Sequence, residues 1–302
     1  MTKLNSICVR LNGGLGNQLF QFAAGYSLAR KMNSNLIMDS QLYMDESRKG
    51  FNRCCEIQNI VDAKYFSFAQ SIMFKPSFIW KIKRLLLILL YTIKLHKYKF
   101  IRENKSGFDL SFFSLPDKNL YLDGYWQSEK YFYEFRHEIK EILHDFFHYP
   151  AEHMELYGGI NLNNSVCVDI RKGDYVSSRN KLNVHGELSE RYYERAVSKM
   201  EELLEDPIYF IFSDNRDYIP LVFSSRNCRL IDPQHFGSDY HNKLRLMTLC
   251  NNFILPNSTF SWWAAYMSSN KHKIIIGPDK WVRNRNNLFR MPSSWMKIES
   301  YL

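Results

Sequence analysis

Three short runs in this chain have residue types suited to holding an anion. The first is Asn12-Gly13-Gly14-Leu15-Gly16-Asn17-Gln18. Glycines let a backbone approach a phosphate closely, and a helix starting after them aims N–H groups and a partial positive charge at it. Gly14, Leu15, Gly16 and Asn17 are the candidate contacts. The second run is Asp169-Ile170-Arg171-Lys172-Gly173-Asp174. An arginine at a strand end can grip a diphosphate through two parallel hydrogen bonds, and Lys172 adds positive charge. The third is Asn257-Ser258-Thr259-Phe260-Ser261-Trp262-Trp263. Hydroxyls and backbone N–H groups at a helix start form a phosphate cradle. Each run also has a plainer account: a tight turn, a surface ion pair of Arg171 with Asp169 or Asp174, and a capped helix.

Taken together, the three runs suggest a nucleoside diphosphate held in a cleft between two α/β domains. The dinucleotide fingerprint of a dehydrogenase is the natural competitor, with Asp39 as its ribose-binding acid, but it wants Gly or Ala where Leu19 stands. No Asp-x-Asp occurs, and no His, Asp and Glu cluster has metal-ligand spacing. The expectation is a site with neither metal nor cofactor. Arg171, Lys172 and helix termini would then meet the charge of a departing diphosphate.

The elements that must position these runs are legible from periodicity. Residues 7–11 form an apolar strand, followed by the glycine loop and a helix with Leu19, Phe22, Ala23, Tyr26 and Ala29 on one face. A short strand at 36–38 ends in Asp39. Residues 43–113 have no clean period. A strand at 120–122 leads into Gly124-Tyr125-Trp126-Gln127-Ser128, and a helix is expected over 129–147. Residues 150–164 read as a linker. The pattern then restarts: strands at 166–170, 208–212, 253–255 and 274–276, with helices at 244–250, through Trp262, Trp263 and Tyr266, and after Ser189, which can cap one whose face is Tyr193, Val197, Met200 and Leu204. Each polar cluster follows the carboxyl end of a strand, the edge at which open α/β sheets bind ligands. Two domains are expected, 1–150 and 151–302, the second holding the nucleotide.

Composition narrows the class. The chain has 302 residues, 45% hydrophobic and 16% aromatic, which suits a globular protein with buried cores. Of its net charge of +9, nine Lys or Arg against Glu103 place +8 between residues 75 and 105. The remainder is nearly neutral, unlike a general nucleic-acid binder. This basic stretch, with Trp80 and a Leu-rich centre, has two accounts: an interfacial segment for an anionic membrane, or a buried helix with a solvated cationic end. The six cysteines lack metal spacing and suit reduced thiols. No secretory signal opens the chain, and the longest uncharged apolar stretch, 85–93, is far short of the roughly 20 residues of a membrane span. A cytoplasmic protein, possible peripheral contact with the inner membrane included, is expected.

The run from Gly13 to Phe22 resembles the N-terminal signature of the bacterial α-1,2-fucosyltransferases of glycosyltransferase family 11. Residues 169–175 are similar to their H-x-R-R-G-D-Y element, Phe212-Ser213-Asp214 to their F-S-D strand end, and residues 257–263 to their N-S-S-F-S-W-W element. Gly124–Ser128 and His185-Gly186 with Ser189 and Tyr192-Tyr193 match as well. The resemblance implies a GT-B fold, two Rossmann-like domains facing across a donor cleft, and inverting, metal-independent transfer from GDP-fucose to a galactose-terminated oligosaccharide of surface-glycan type, either free or lipid-linked. It implies Arg171 as the phosphate-binding arginine, residues 257–261 as the diphosphate loop, and Gly14, Gly16 and Asn17 on the N-terminal side of the donor, with Ser213 and Asp214 also at the donor site. This chain departs at Asp169 (His in the family), at Lys172 (Arg), and at Asn242 and Lys243, where an acidic pair is frequent. Asp169 is therefore expected either to supply a guanine-reading carboxylate in place of the acid lost at Lys243 or to pair with Arg171. Asp174, His185 and Glu187 are the candidate bases. Tyr125, Trp126 and Gln127 are the candidate acceptor contacts, with core packing of the two aromatics as the alternative. A fucosyltransferase of other linkage and a non-catalytic sugar-nucleotide binder complete the alternatives.

Overall fold

The computed structural model describes residues 5–44, 53–69, 89, 97–103, 107–115, 119–147, 160–171, 188–214, 219–231, 240–281 and 291–300. The chain divides into two compact units, Met1–Leu143 and His144–Leu302.

The first unit is built on a parallel sheet of five strands: β1 (Ser6–Arg10), β2 (Asn35–Asp39), β3 (Ser67–Phe68), β4 (Lys99–Arg102) and β5 (Asn119–Asp123). Their spatial order is β3-β2-β1-β5-β4. The centre of β1, Ile7-Cys8-Val9, is apolar on successive residues because both faces of the strand are covered. One cover is helix α1 (Leu15–Lys31), whose residues are buried along most of its length. Gly25 permits this: a Cβ there would lie 2.4 Å from Val9 Cγ2 and 2.9 Å from Leu36 Cδ1. Arg30 and Lys31 in the last turn suit the negative end of the helix dipole. Each large apolar side chain buried here, such as Phe20 or Phe22, contributes about 1.5–3 kcal/mol relative to exposure.

Two expectations change in this unit. The aperiodic stretch 43–113 supplies edge strands β3 and β4, too short for a period-2 signal to show. Lys99–Arg102 of the basic stretch therefore belongs to the sheet, and just before it Lys97 Nζ lies 4.9 Å over the Tyr98 ring. Most of the rest of that stretch, 75–88, 90–96 and 104–105, lies outside the described residues. The helix expected from 129 begins later. Two 3₁₀ turns, Glu129–Tyr131 and Tyr133–Phe135, precede helix α2 (Arg136–Phe147), because Phe132 at φ −137° breaks the helical path.

The second unit is a six-stranded parallel sheet: β6 (Ser165–Ile170), β7 (Ile208–Ser213), β8 (Cys228–Leu230), β9 (Asn252–Ile254), β10 (Ile275–Pro278) and β11 (Met296–Ile298). The order is β11-β10-β9-β6-β7-β8. Renumbered within the unit this is 3-2-1-4-5-6 read from the β8 edge, the doubly wound nucleotide-binding order. Val166, Val168 and Ile170 point to one face of β6 and pack with Tyr192, Val197 and Met200 of helix α3 (Glu190–Leu203). The other face meets helices α4 (Tyr240–Met247) and α5 (Thr259–Met267), which pack on each other. Ser189 caps α3 as expected, its Oγ accepting from Tyr192 N at 3.3 Å. Edge strands β8 and β11 are three residues each and carry no readable pattern. Burial pushes the Cys8 and Cys167 thiols well up, so both act as small apolar side chains.

Candidate functional site

The order of the second sheet reverses between β6 and β9, so their carboxyl ends flank the topological switch point. Arg171 follows β6, and residues 257–261 follow β9. Ser258 holds the N-cap position of α5 by its backbone (φ −127°, ψ 122°), yet its side chain makes no capping bond. Instead Ser258 Oγ accepts from Arg171 Nη1 at 3.1 Å. The helix has no acid in its first turn. A guanidinium, a serine hydroxyl and a helix start thus come together at one point, a combination suited to a diphosphate.

The loop is held from three sides. Tyr192 OH donates to Leu255 O at 2.5 Å in a buried contact, and Asn257 Nδ2 donates to Trp281 O at 3.3 Å. Below the loop, Ser261 Oγ donates to Asp169 Oδ2, while Lys243 Nζ pairs with Asp169 Oδ1 at 2.9 Å. On the flanking strand, Ser213 ends β7 and Asp214 N donates to Ile170 O at 3.3 Å. Ser213 and Asp214 therefore sit on the side of Arg171 away from Ser258. Thr259 and Phe260 open α5 and are half-buried.

Asp169 departs from the guanine-reading expectation. It is 1% exposed, and each carboxylate oxygen has a partner, Lys243 or Ser261. Side-chain alternation turns it to the same face as Arg171, but that face is covered there by α4 and α5. Lys172, Asp174, His185 and Glu187 lie outside the described residues.

In the first unit the glycine loop leads into α1 at the carboxyl end of β1, where the order of that sheet also reverses. Gly13, at φ +87°, adopts a left-handed backbone that other residues resist, and a Cβ there would strike Asn17 Nδ2 at 2.3 Å. Gly14 is the N-cap, and the first turn of α1 (Leu15, Gly16, Asn17) carries no acid. The loop is bound to the one after β5. Gln127 Nε2 donates to Asn17 Oδ1 at 2.5 Å, and Asn12 Nδ2 donates to Tyr125 OH at 3.1 Å. Gln127 is buried; Tyr125 is exposed. Glu103 accepts from Tyr125 N at 2.7 Å.

Trp126 is not an acceptor contact. It is 2% exposed and sits with Phe112 and Tyr131, ring centroids 5.0 and 5.3 Å away. Core packing takes the larger aromatic because its area is worth more buried.

Gln18 and Gln21, both inside the run from Gly13 to Phe22 and given no role there, hold this loop. Gln18 Nε2 donates to Gly13 O and Cys54 O at 3.2 and 2.9 Å, and its Oε1 accepts from Glu56 N and Ile57 N at 2.8 and 3.2 Å. Gln21 Oε1 accepts from Asn12 N at 3.0 Å, and its Nε2 donates to Gly124 O at 2.9 Å. Two glutamines three apart on an otherwise apolar helix face were the available signal: buried amides must find partners.

Among the described residues no group of three His, Cys, Asp or Glu side chains is placed to hold a metal ion, and no helix is long and apolar enough to cross a membrane.

Two Rossmann-like units, each with polar residues at the carboxyl edge of its sheet, make up a fold of the GT-B class. The chain shares that fold with a mutant of Arabidopsis thaliana FUT1 in complex with GDP, at a TM-score of 0.51 and 12% identity over 92% of this chain and 72% of that one. The profile of glycosyl transferase family 11 matches residues 78–296, and the chain belongs to that family. It is similar to the Alpha-1,2-colitosyltransferase of Escherichia coli, 29% identical over 98% of this chain and 100% of that protein. The O-antigen biosynthesis glycosyltransferase WbnK of Escherichia coli is 29% identical over 95% and 99%. Galactoside alpha-(1,2)-fucosyltransferase 2 of Pongo pygmaeus is 28% identical over 51% of this chain and 47% of its own length.

Proposed function

We propose that this protein transfers L-fucose from GDP-fucose to the 2-hydroxyl of a β-galactoside, with inversion and without a metal ion, in the synthesis of a surface glycan of O-antigen type. The observation that carries this reading is the meeting of Arg171 and Ser258 at the start of α5, on the switch point of a nucleotide-binding sheet. Family membership supports a sugar nucleotide as the bound group, and the names of its relatives point to an α-1,2 linkage and an O-antigen setting.

In the reaction the acceptor 2-oxygen attacks C1 of the sugar from the face opposite GDP. The C1–O bond to the β-phosphate breaks, and its electron pair leaves with GDP. The hydroxyl proton passes to a base, for which Asp174, His185 and Glu187 are the candidates. Arg171 and the amides opening α5 stabilise the charge that grows on the β-phosphate, the role a divalent cation fills in other enzymes. Tyr125 and Gln127 are the proposed acceptor contacts.

A second reading is favoured by the full-length similarity to the colitosyltransferase: transfer of colitose, which is fucose without its 3-hydroxyl, from GDP-colitose. A site that hydrogen-bonds a hydroxyl rejects the analogue lacking it strongly, whereas an apolar pocket discriminates weakly.

GDP release from each donor, with and without lactose and in EDTA, tests both. Lactose-dependent release from GDP-fucose in EDTA, with an α-1,2 product by NMR linkage analysis, is the expected result. Release from GDP-colitose alone would replace the donor, a different linkage would replace the regiochemistry, and dependence on an added divalent ion would refute the metal-free chemistry. Binding of GDP without release across a panel of galactosides would leave a sugar-nucleotide binder.

A further inference from the structure

The donor site has a negative charge built in beside its phosphate-binding arginine. Asp169 stands two residues before Arg171 on the same side of the strand, so their Cα atoms are about 7 Å apart. A carboxylate that close competes with a diphosphate for the guanidinium. The structure commits it elsewhere: Oδ1 is paired with Lys243 Nζ at 2.9 Å, and Oδ2 accepts from Ser261 Oγ. The Lys243 side chain is 17% exposed, so its ammonium is itself largely sheltered. The contacts reach across 74 and 92 residues, from α4 and α5 to β6.

We propose that Lys243 is a positioning residue that sequesters the Asp169 carboxylate and so keeps it off Arg171, the proposed diphosphate-binding residue. The inference rests on the GDP-sugar reading above. Lys243 acts here without touching the donor. Without it, Asp169 turns toward Arg171, and the Ser261 bond that ties the first turn of α5 to β6 weakens with it. Sequence inspection alone suggests the opposite division of labour, with Lys243 as a lost carboxylate and Asp169 as its substitute.

The test is the affinity of GDP and of inorganic pyrophosphate for the full-length protein by calorimetry at pH 8, with circular dichroism and thermal melting of every variant. Lys243→Met is expected to weaken both ligands by roughly tenfold or more, since an unpaired unit charge about 7 Å away is worth over a decade at the effective dielectric of about 20 that suits a partly buried site. Asp169→Asn in that background removes the competing charge and should restore affinity to within a few-fold of wild type. Lys243→Arg should keep wild-type affinity. A merely structural role for the pair would move melting temperature and leave the affinities of the folded variants alone.

Unchanged affinity in folded Lys243→Met overturns the proposal. So does a double variant as weak as the single one, which would mean that Lys243 binds the donor directly. Loss of GDP but not pyrophosphate binding in Asp169→Asn would return Asp169 to base recognition and overturn it too. Should Lys243→Met not fold, the double variant, free of the buried charges, decides by the same criterion. A wild type that binds neither ligand would refute the donor reading itself, and the proposal with it.

Discussion

Arg171 Nη1 and Ser258 Oγ lie 3.1 Å apart, joining the ends of two strands that are neighbours in the sheet and 87 residues apart in the chain. The bond holds a flexible cation at the start of α5. Pre-organised charge of this kind costs no rearrangement when the leaving group departs.

Arg171→Ala should lower transfer by about 10²-fold or more while leaving the circular dichroism spectrum and melting temperature near wild type, because the side chain is part-exposed and outside the core. Arg171→Lys keeps the charge but loses the planar fork, and should recover only part of the rate. The measurement is kcat/KM for the donor beside a thermal melt. Wild-type turnover in Arg171→Ala would remove the residue from the site.

Tyr125 and Trp126 are adjacent in sequence and should behave oppositely. Trp126→Ala empties a buried aromatic site and should cost about 3–5 kcal/mol of stability. Tyr125→Ala, at an exposed position, should leave stability nearly unchanged and raise the acceptor KM without changing the donor KM. Urea unfolding and two-substrate kinetics read the two effects separately. An unchanged acceptor KM would remove Tyr125 from the acceptor site.

Gly25→Ala sets two effects against each other. Alanine gains about 1 kcal/mol of helix propensity. Its methyl would lie 2.4 Å from Val9 and 2.9 Å from Leu36, and such overpacking costs about 1–3 kcal/mol. A net loss is expected, seen as a lower urea midpoint. A stabilised variant would show that α1 can slide off the sheet at little cost.

Glu138 gives a pH test. Burial pushes its carboxyl up, but hydrogen bonds from Arg30 and Tyr26 outweigh this and hold it below its ordinary value of 4.5. A depressed carboxylate contributes stability above its unfolded pKa and loses it as pH falls through the folded one. The deficit of Glu138→Gln relative to wild type should therefore be full at pH 7 and shrink as pH drops below 4.5. Both side chains of the Glu138–Arg30 pair are well exposed, so the effect is small. Urea midpoints at pH 7, 5 and 4 measure it. A deficit that grows on acidification contradicts the assignment.

Much of the architecture could be read from local pattern. Strand β6 alternates Val166, Val168 and Ile170 against Cys167 and Asp169, and the two sets do face opposite sides, because a strand turns successive side chains apart. Ser189 announces α3 because a cap acts over three residues. Strands β3, β8 and β11 escaped notice because two or three residues cannot establish a period.

The sequence by itself determined which residue types stand at the strand ends, since glycine conformation, alternation and capping are properties of a few neighbouring residues. It also carried the family, through the runs at 13–22 and 257–263. Only the tertiary structure decided how those residues are paired. That Asp169 goes to Lys243 and Ser261, that Ser258 turns from capping its own helix to Arg171, and that Trp126 faces the core while Tyr125 faces out, all depend on which elements pack together. A buried charge or amide takes the partner the fold brings within about 3 Å, whatever lies next to it in the chain.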